Sequence, residues 1–157
     1  MRVTRLWLTD FRNYQTAELV PAPDGLTVIL GANGEGKTNL LEAVGYLATL
    51  GSFRRAPSDA LVRDGTAAAF IRAEARDAHD RSVLIEAEVR PSGRDRVQVN
   101  RQPLRRARDL LGVIRVTVFS PDDLVLVKGP PGERRRLLDE VLVALHPRFD
   151  ALQHALE

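Results

Sequence analysis

The sequence predicts an α/β fold in which a strand, a glycine loop and a helix precede an antiparallel β meander and a helical segment. Three observations predict it. The apolar run Leu26–Leu30 leads directly into Gly31-Ala-Asn-Gly-Glu-Gly-Lys-Thr38 and an amphipathic stretch. Three later segments alternate with period two between turn clusters. The stretch Glu133–Leu145 repeats apolar residues at helical spacing.

The elements follow in chain order. Val3–Leu8 alternates loosely and carries β-branched and aromatic residues, which predicts a strand. "DFRNYQT" breaks it, "AELVP" forms a short second strand, and "PAPDG" is a turn cluster. Leu26–Leu30 suits a strand buried on both faces. A helix follows from Lys37 to Leu50, with Leu40, Leu41, Val44, Leu47 and Ala48 as its buried stripe and Gly51 as its stop. "SFRRAPSDALVRDG" reads as a loop with a short helix. "AAAFIRAEAR", "RSVLIEAEVR" and "RVQVN" form the meander, turned at "DAHD", "PSGRD" and "NRQP". "PLRRARDLLG" is a short helix and "VIRVTVF" another strand. The helix Glu133–Leu145 turns Leu137, Leu138, Val141, Leu142 and Leu145 to one side. A last helical pattern, Phe149, Leu152 and Leu156, reaches the end without a stop signal and suggests a fragment of a longer chain.

Composition narrows the function classes. With no Cys, disulfides and thiolate metal sites are excluded. The three His are scattered and form no HExxH pair, which argues against a His-based zinc site. No signal peptide or membrane span is evident, so a cytoplasmic protein without a membrane partner is expected. Of the 23 basic residues only Lys37 and Lys128 are Lys. A chain that writes positive charge as Arg almost everywhere keeps Lys where a compact ammonium is needed.

Lys37 lies in the loop Gly31–Thr38, which fits G-x-x-x-x-G-K-[ST]. Successive amides of Gly31, Ala32, Asn33, Gly34, Glu35 and Gly36 form a concavity for phosphate oxygens. The helix beginning at Lys37 adds roughly half an elementary charge at its N-terminus. Lys37 supplies a point charge to the β- and γ-phosphates, and the Thr38 hydroxyl completes a magnesium shell. ATP with Mg is the expected ligand. The alternative is an ordinary strand–turn–helix with a Gly-rich turn.

Two further groups carry charge. Ser120, Pro121, Asp122 and Asp123 read as a helix N-terminus, and Asp122 and Asp123 are also candidates for a place near the metal. "RRRLLDEV" is rejected as an acidic strand end, because three Arg precede leucines that fit a helical stripe. From Arg94 to Arg115 there are seven Arg against two Asp. Arg101, Arg105, Arg106 and Arg108 are the candidate DNA contacts of this stretch, against the alternative of a solvated surface.

Three blocks, "LWLTDFRNY", "GANGEGKTNLLEAVGYL" and "FSPDDLVLVKGPPGERRRLLDE", together with "GSFR" between them, resemble the RecF family of bacterial recombination-mediator ATPases over essentially the whole chain. The resemblance implies a P-loop NTPase of the ABC-ATPase head type, with an SMC/Rad50-like lobe I over residues 1–130 and the start of a helical lobe II over residues 131–157. It implies Arg12 and Asn13 beside the nucleotide. It also implies an ATP-dependent homodimer, DNA binding at single-strand gaps and duplex, and partners of the RecR and RecO type. The family's signature motif, its Asp-Glu strand end and its switch histidine are not in this sequence, so this portion is expected to bind ATP without hydrolysing it. No catalytic residue is assigned here. Two other classes stand beside this reading: a nucleotide-binding subunit of an ABC transporter, and a DNA-binding module with a relic nucleotide site.

Overall fold

The computed structural model describes residues 1–77, 79–146 and 149; the side chains of Pro121, Asp122 and Glu140 lie outside the description. So does most of the expected last helical pattern, including Leu152 and Leu156.

Six strands form one sheet in the order β2-β1-β3-β4-β5-β6, antiparallel throughout: β1 Arg2–Phe11, β2 Tyr14–Leu19, β3 Ala69–Arg76, β4 Ser82–Val89, β5 Arg96–Val99 and β6 Gln102–Pro103. Period two explains the register. Along β3, Ala69, Ile71, Ala73 and Ala75 face inward while the residues between them are exposed. β4 repeats the pattern with Ile85, Ala87 and Val89 inward, opposite Ala73, Ile71 and Ala69. The meander and its first two turns are therefore as expected, while in the third, expected over "NRQP", only Asn100 and Arg101 turn and Gln102–Pro103 pair as β6. On the outer face Trp7 lies between two guanidinium groups, 4.9 Å from Arg5 and 5.1 Å from Arg72, which covers its ring.

The first hairpin is tighter than expected. β1 continues to Phe11 and β2 starts at Tyr14, so the break is only Arg12-Asn13. Phe11 and Tyr14 pair across it, and Arg12 takes a left-handed φ of 55°. The Arg12 amide donates to Leu61 O at 2.8 Å and the Arg63 amide to Asp10 O at 2.8 Å. The short helix α2 (Ser58–Leu61) is thereby tied to the end of β1.

Helix α1 (Lys37–Thr49) packs on β1 and β3, closing a core with Leu6, Leu8, Phe11, Ile71 and Ile85. Its buried face is Glu42, Ala43, Gly45, Tyr46 and Leu47; Leu41, expected inside, is 52% exposed. The reason for the rotation is polar. Glu42 is fully buried because Arg12 meets it, and Tyr46, one turn later, donates a 2.5 Å hydrogen bond to Asp95. Burial, with the hydrogen bond to Asp95 and its charge, pushes the Tyr46 phenol well up.

Two expected strands do not form. Leu26–Leu30 joins no ladder, and Leu26, Val28 and Leu30 are exposed. Residues 113–119 also join no sheet; Ile114 is buried and Val116 packs against the core, and they carry only an isolated bridge between Leu111 and Ile114. The apolar patterns are there, but a strand buried on both faces needs a neighbour on each side, and the described residues provide none. The rest of the second half is short: 3₁₀ turns at Ala107–Leu110 and Pro121–Leu124, then α3 (Val125–Lys128) and α4 (Pro131–Leu145). "RRRLLDEV" is helical, as expected, with Leu137, Leu138, Val141, Leu142 and Leu145 all exposed. Among the described residues no helix is long and apolar enough to cross a membrane.

Candidate functional site

The loop Gly31–Gly36 arches over the start of α1. Gly34 and Gly36 take φ of 88° and 103°, a region that L side chains rarely adopt. Gly36 is doubly constrained, because a Cβ there would meet Asn13 and Tyr14 atoms at 2.6–2.9 Å. Among the described residues the amides of Gly34, Gly36, Lys37 and Thr38 have no acceptor. Four free donors at a helix N-terminus are a ready anion site. They face a cleft of about 490 Å³ lined by Arg12, Asn13, Asn33, Gly34, Gly36, Lys37, Thr38, Asn39, Arg54 and Ala60.

The loop also has internal contacts. The Ala32 amide donates to the Glu35 carboxylate at 2.8 Å. The Lys37 ammonium donates to Gly31 O at 2.8 Å and Ala32 O at 2.6 Å. Asn13 donates to Glu35 O at 3.1 Å and accepts from Asn39 at 2.8 Å.

Behind the cleft lies a charge network centred on Glu42. Arg12 holds it with two bonds, Nε to Oε2 at 2.8 Å and a terminal nitrogen to Oε1 at 2.7 Å. Ser52 also donates to it, and Arg54 stands 3.8 Å away. Burial alone would raise the Glu42 carboxyl; the hydrogen bonds from Arg12 and Ser52 and the charges of Arg12 and Arg54 outweigh that and hold it below its ordinary value. Arg12 donates once more, to Ala60 O at 2.8 Å. Expected beside the nucleotide, Arg12 does line the cleft, but most of its guanidinium is engaged behind it. Sequence reasoning assigned no role to Glu42, Asn39 or Arg54. Arg54, 44% exposed, brings a further cation to the cleft and donates to Asn39 at 3.1 Å.

The other predicted residues lie elsewhere. The Asp123 carboxylate accepts the Ser120 amide at 2.5 Å, which is the capping arrangement, and Asp123 does not line the cleft. The Asp122 side chain lies outside the description. Arg101 sits at the tip of the two-residue turn between β5 and β6, where Asn100 and Arg101 have φ of 51° and 64°. The Asn100 side chain fixes that turn by accepting the Leu84 amide at 2.9 Å. Arg105, Arg106 and Arg108 follow on the same exposed segment, and none of the four lines the cleft.

Comparison with known proteins fits this geometry. The profile of the RecF/RecN/SMC N terminal domain matches residues 2–124. The chain belongs to this family. A DNA replication and repair protein RecF of Streptomyces avermitilis is 49% identical over 157 residues, all of this chain and 42% of the relative. One of Kineococcus radiotolerans is 51% identical over 149 residues, 95% of this chain and 38% of the relative. The chain thus spans about two fifths of these RecF proteins. A solved structure of the recombination mediator RecF with ATP, in the RecFOR pathway, superposes with a TM-score of 0.90 at 29% identity, covering 98% of this chain and 42% of that one. The RecF head fold is therefore the fold of this chain. An SMC ATPase structure, at TM-score 0.71 and 24% identity, shares the fold.

Proposed function

We propose that this chain is the ATP-binding portion of a recombinational-repair ATPase, a recombination mediator that acts on DNA at single-strand gaps. The observation that carries the proposal is the set of unpartnered loop amides at the N-terminus of α1, in a chain of the RecF family. The loop amides and Lys37 would hold the triphosphate, and Thr38 fits as a magnesium ligand alongside phosphate oxygens and water. The segment of Asp122 and Asp123 is assigned to the metal's surroundings by the resemblance alone, since the Asp123 carboxylate is engaged by the Ser120 amide. The magnesium neutralises phosphate charge when bound; the chain's own part is to bind and orient the phosphates.

The reading extends to the longer parent protein. Residues 1–130 form a nucleotide lobe and residues 131–157 begin a helical lobe. ATP drives homodimerisation, the partners are DNA and RecR- and RecO-type proteins, and the setting is cytoplasmic. Turnover requires groups beyond these residues, so residues 1–157 bind ATP without hydrolysing it. The transporter and relic-site alternatives have no observation in their favour.

Arg101, Arg105 and Arg106 serve this function by neutralising DNA phosphates, with Arg108 beside them. On the full-length protein ATP is expected to tighten duplex binding. The triple variant R101A/R105A/R106A is expected to lower the slope of log affinity against log salt by about 2–3, at about 0.9 for each phosphate no longer neutralised. An unchanged slope would remove these residues from the DNA face. DNA affinity indifferent to ATP would favour the relic-site reading.

A further inference from the structure

We propose that Asn13 is a positioning residue for the phosphate loop and not a ligand of the nucleotide, an inference that rests on the ATP-binding reading above. The expectation from resemblance placed Asn13 beside the nucleotide without a task. The geometry gives it one.

Asn13 lies in the two-residue turn between β1 and β2, and its side-chain amide nitrogen donates to the carbonyl of Glu35 at 3.1 Å. Glu35 is the residue between the two left-handed glycines, Gly34 and Gly36, whose amides are free. Fixing its carbonyl fixes the peptide plane that carries the Gly36 amide, because one plane holds both groups. The Asn13 side-chain oxygen is occupied too, accepting from Asn39 on the first turn of α1 at 2.8 Å. One carboxamide thus bridges the loop and the helix start, the two sources of phosphate donors. Packing supports the bridge, since Asn13 and Tyr14 sit so close above Gly36 that no Cβ fits there.

The turn is itself held from behind. Arg12 anchors it to Glu42 on α1, and the Arg12 amide anchors it to Leu61. Asn39 is held by Arg54, which also approaches Glu42. Loop, helix start and hairpin turn therefore form one connected frame, and Asn13 is its link to the loop. Each end of its side chain already bonds protein, one N–H to the Glu35 carbonyl and the oxygen to Asn39, so the loop and the helix set the orientation of the carboxamide. A glycine-rich loop pays for its free amides in conformational entropy, and a carbonyl clasp reduces the number of shapes to be lost on binding.

The test is a calorimetric titration of full-length protein with ATP–Mg and ADP–Mg, using wild type, Asn13→Ala, Asn13→Asp and Lys37→Ala, each with a thermal melt. Asn13→Ala is expected to weaken ATP and ADP by the same factor, about five- to tenfold for one hydrogen bond, with an unchanged melt because the residue is exposed. Asn13→Asp keeps the shape and the acceptor for Asn39 but loses the donor to Glu35, so it is expected to bind no better than the Ala variant. Four results would overturn the proposal: a loss confined to ATP, which makes Asn13 a γ-phosphate ligand; wild-type affinity in Asn13→Asp, which reduces its role to packing; no loss in Asn13→Ala; or a melt that falls with the affinity. Lys37→Ala separates the two readings. If it binds ATP as wild type does, the phosphate cradle itself is wrong; if it fails while Asn13→Ala binds normally, only the positioning role is wrong.

Discussion

Lys37→Ala is expected to weaken ATP–Mg binding by about 30-fold or more, the result of removing one partner from a close charge pair. The chain concentrates its positive charge in Arg, and Lys37 is one of two exceptions. In the structure its ammonium is folded against the carbonyls of Gly31 and Ala32, a position from which it caps the loop that the free amides line. Those carbonyls take two of the ammonium's three donors, which leaves one donor and the full charge for a β- or γ-phosphate. Lys37→Arg is expected not to restore binding, because a planar fork does not fit where a compact ammonium bonds two adjacent carbonyls. Calorimetry on both variants checks this, and wild-type affinity in the Arg variant would show that charge alone suffices.

Arg12→Ala is expected to destabilise the fold by about 3–5 kcal/mol, because it leaves the fully buried Glu42 without its main partner. Glu42→Ala removes the buried charge along with the pair and should cost less. A double replacement by apolar residues of similar size should be near neutral, since burying a charge pair gains little over burying hydrocarbon. The pH dependence has a definite sign. Glu42 has a folded value below the ordinary 4.5, so its contribution is complete above about that pH and is lost as pH falls through the folded value. Urea unfolding at neutral and acid pH is the measurement. The gap between wild type and Arg12→Ala should narrow toward acid; a gap that widens would speak against the assignment.

How much of this was legible in the residues varied with the reach of the interaction. The meander was legible because strands β3 to β5 alternate cleanly and each pairs with its neighbour in sequence. The glycine loop was legible because its donors are main-chain groups set by local spacing. Glu42 was not. Helical periodicity placed Leu41 inside, and the burial of Glu42 depends on Arg12, thirty residues earlier, turned inward by a left-handed backbone. For Asn13 the resemblance gives only a place beside the nucleotide, and nothing in spacing reveals its bond to the carbonyl of Glu35.

Leu26–Leu30 and residues 113–119 differ in kind. Leu26–Leu30 has the composition of a strand buried on both faces and residues 113–119 that of a strand, yet among the described residues neither joins the sheet, and Leu30 and Phe119 are each 86% exposed. The exposed stripe of α4 makes the same demand on a helical neighbour. Since the RecF relatives are more than twice as long as the part matched here, we propose that their remaining length supplies both.

The nucleotide-binding reading stands on main-chain amides of the glycine loop gripping a triphosphate. A crystal structure of the longer parent protein with a non-hydrolysable ATP analogue and magnesium is the decisive measurement. Phosphate oxygens are expected on the amides of Gly34, Gly36, Lys37 and Thr38, the Lys37 ammonium on the β- and γ-phosphates, and the Thr38 hydroxyl on the metal. Phosphates bound away from this loop, or loop amides still without a phosphate acceptor in the complex, would refute it.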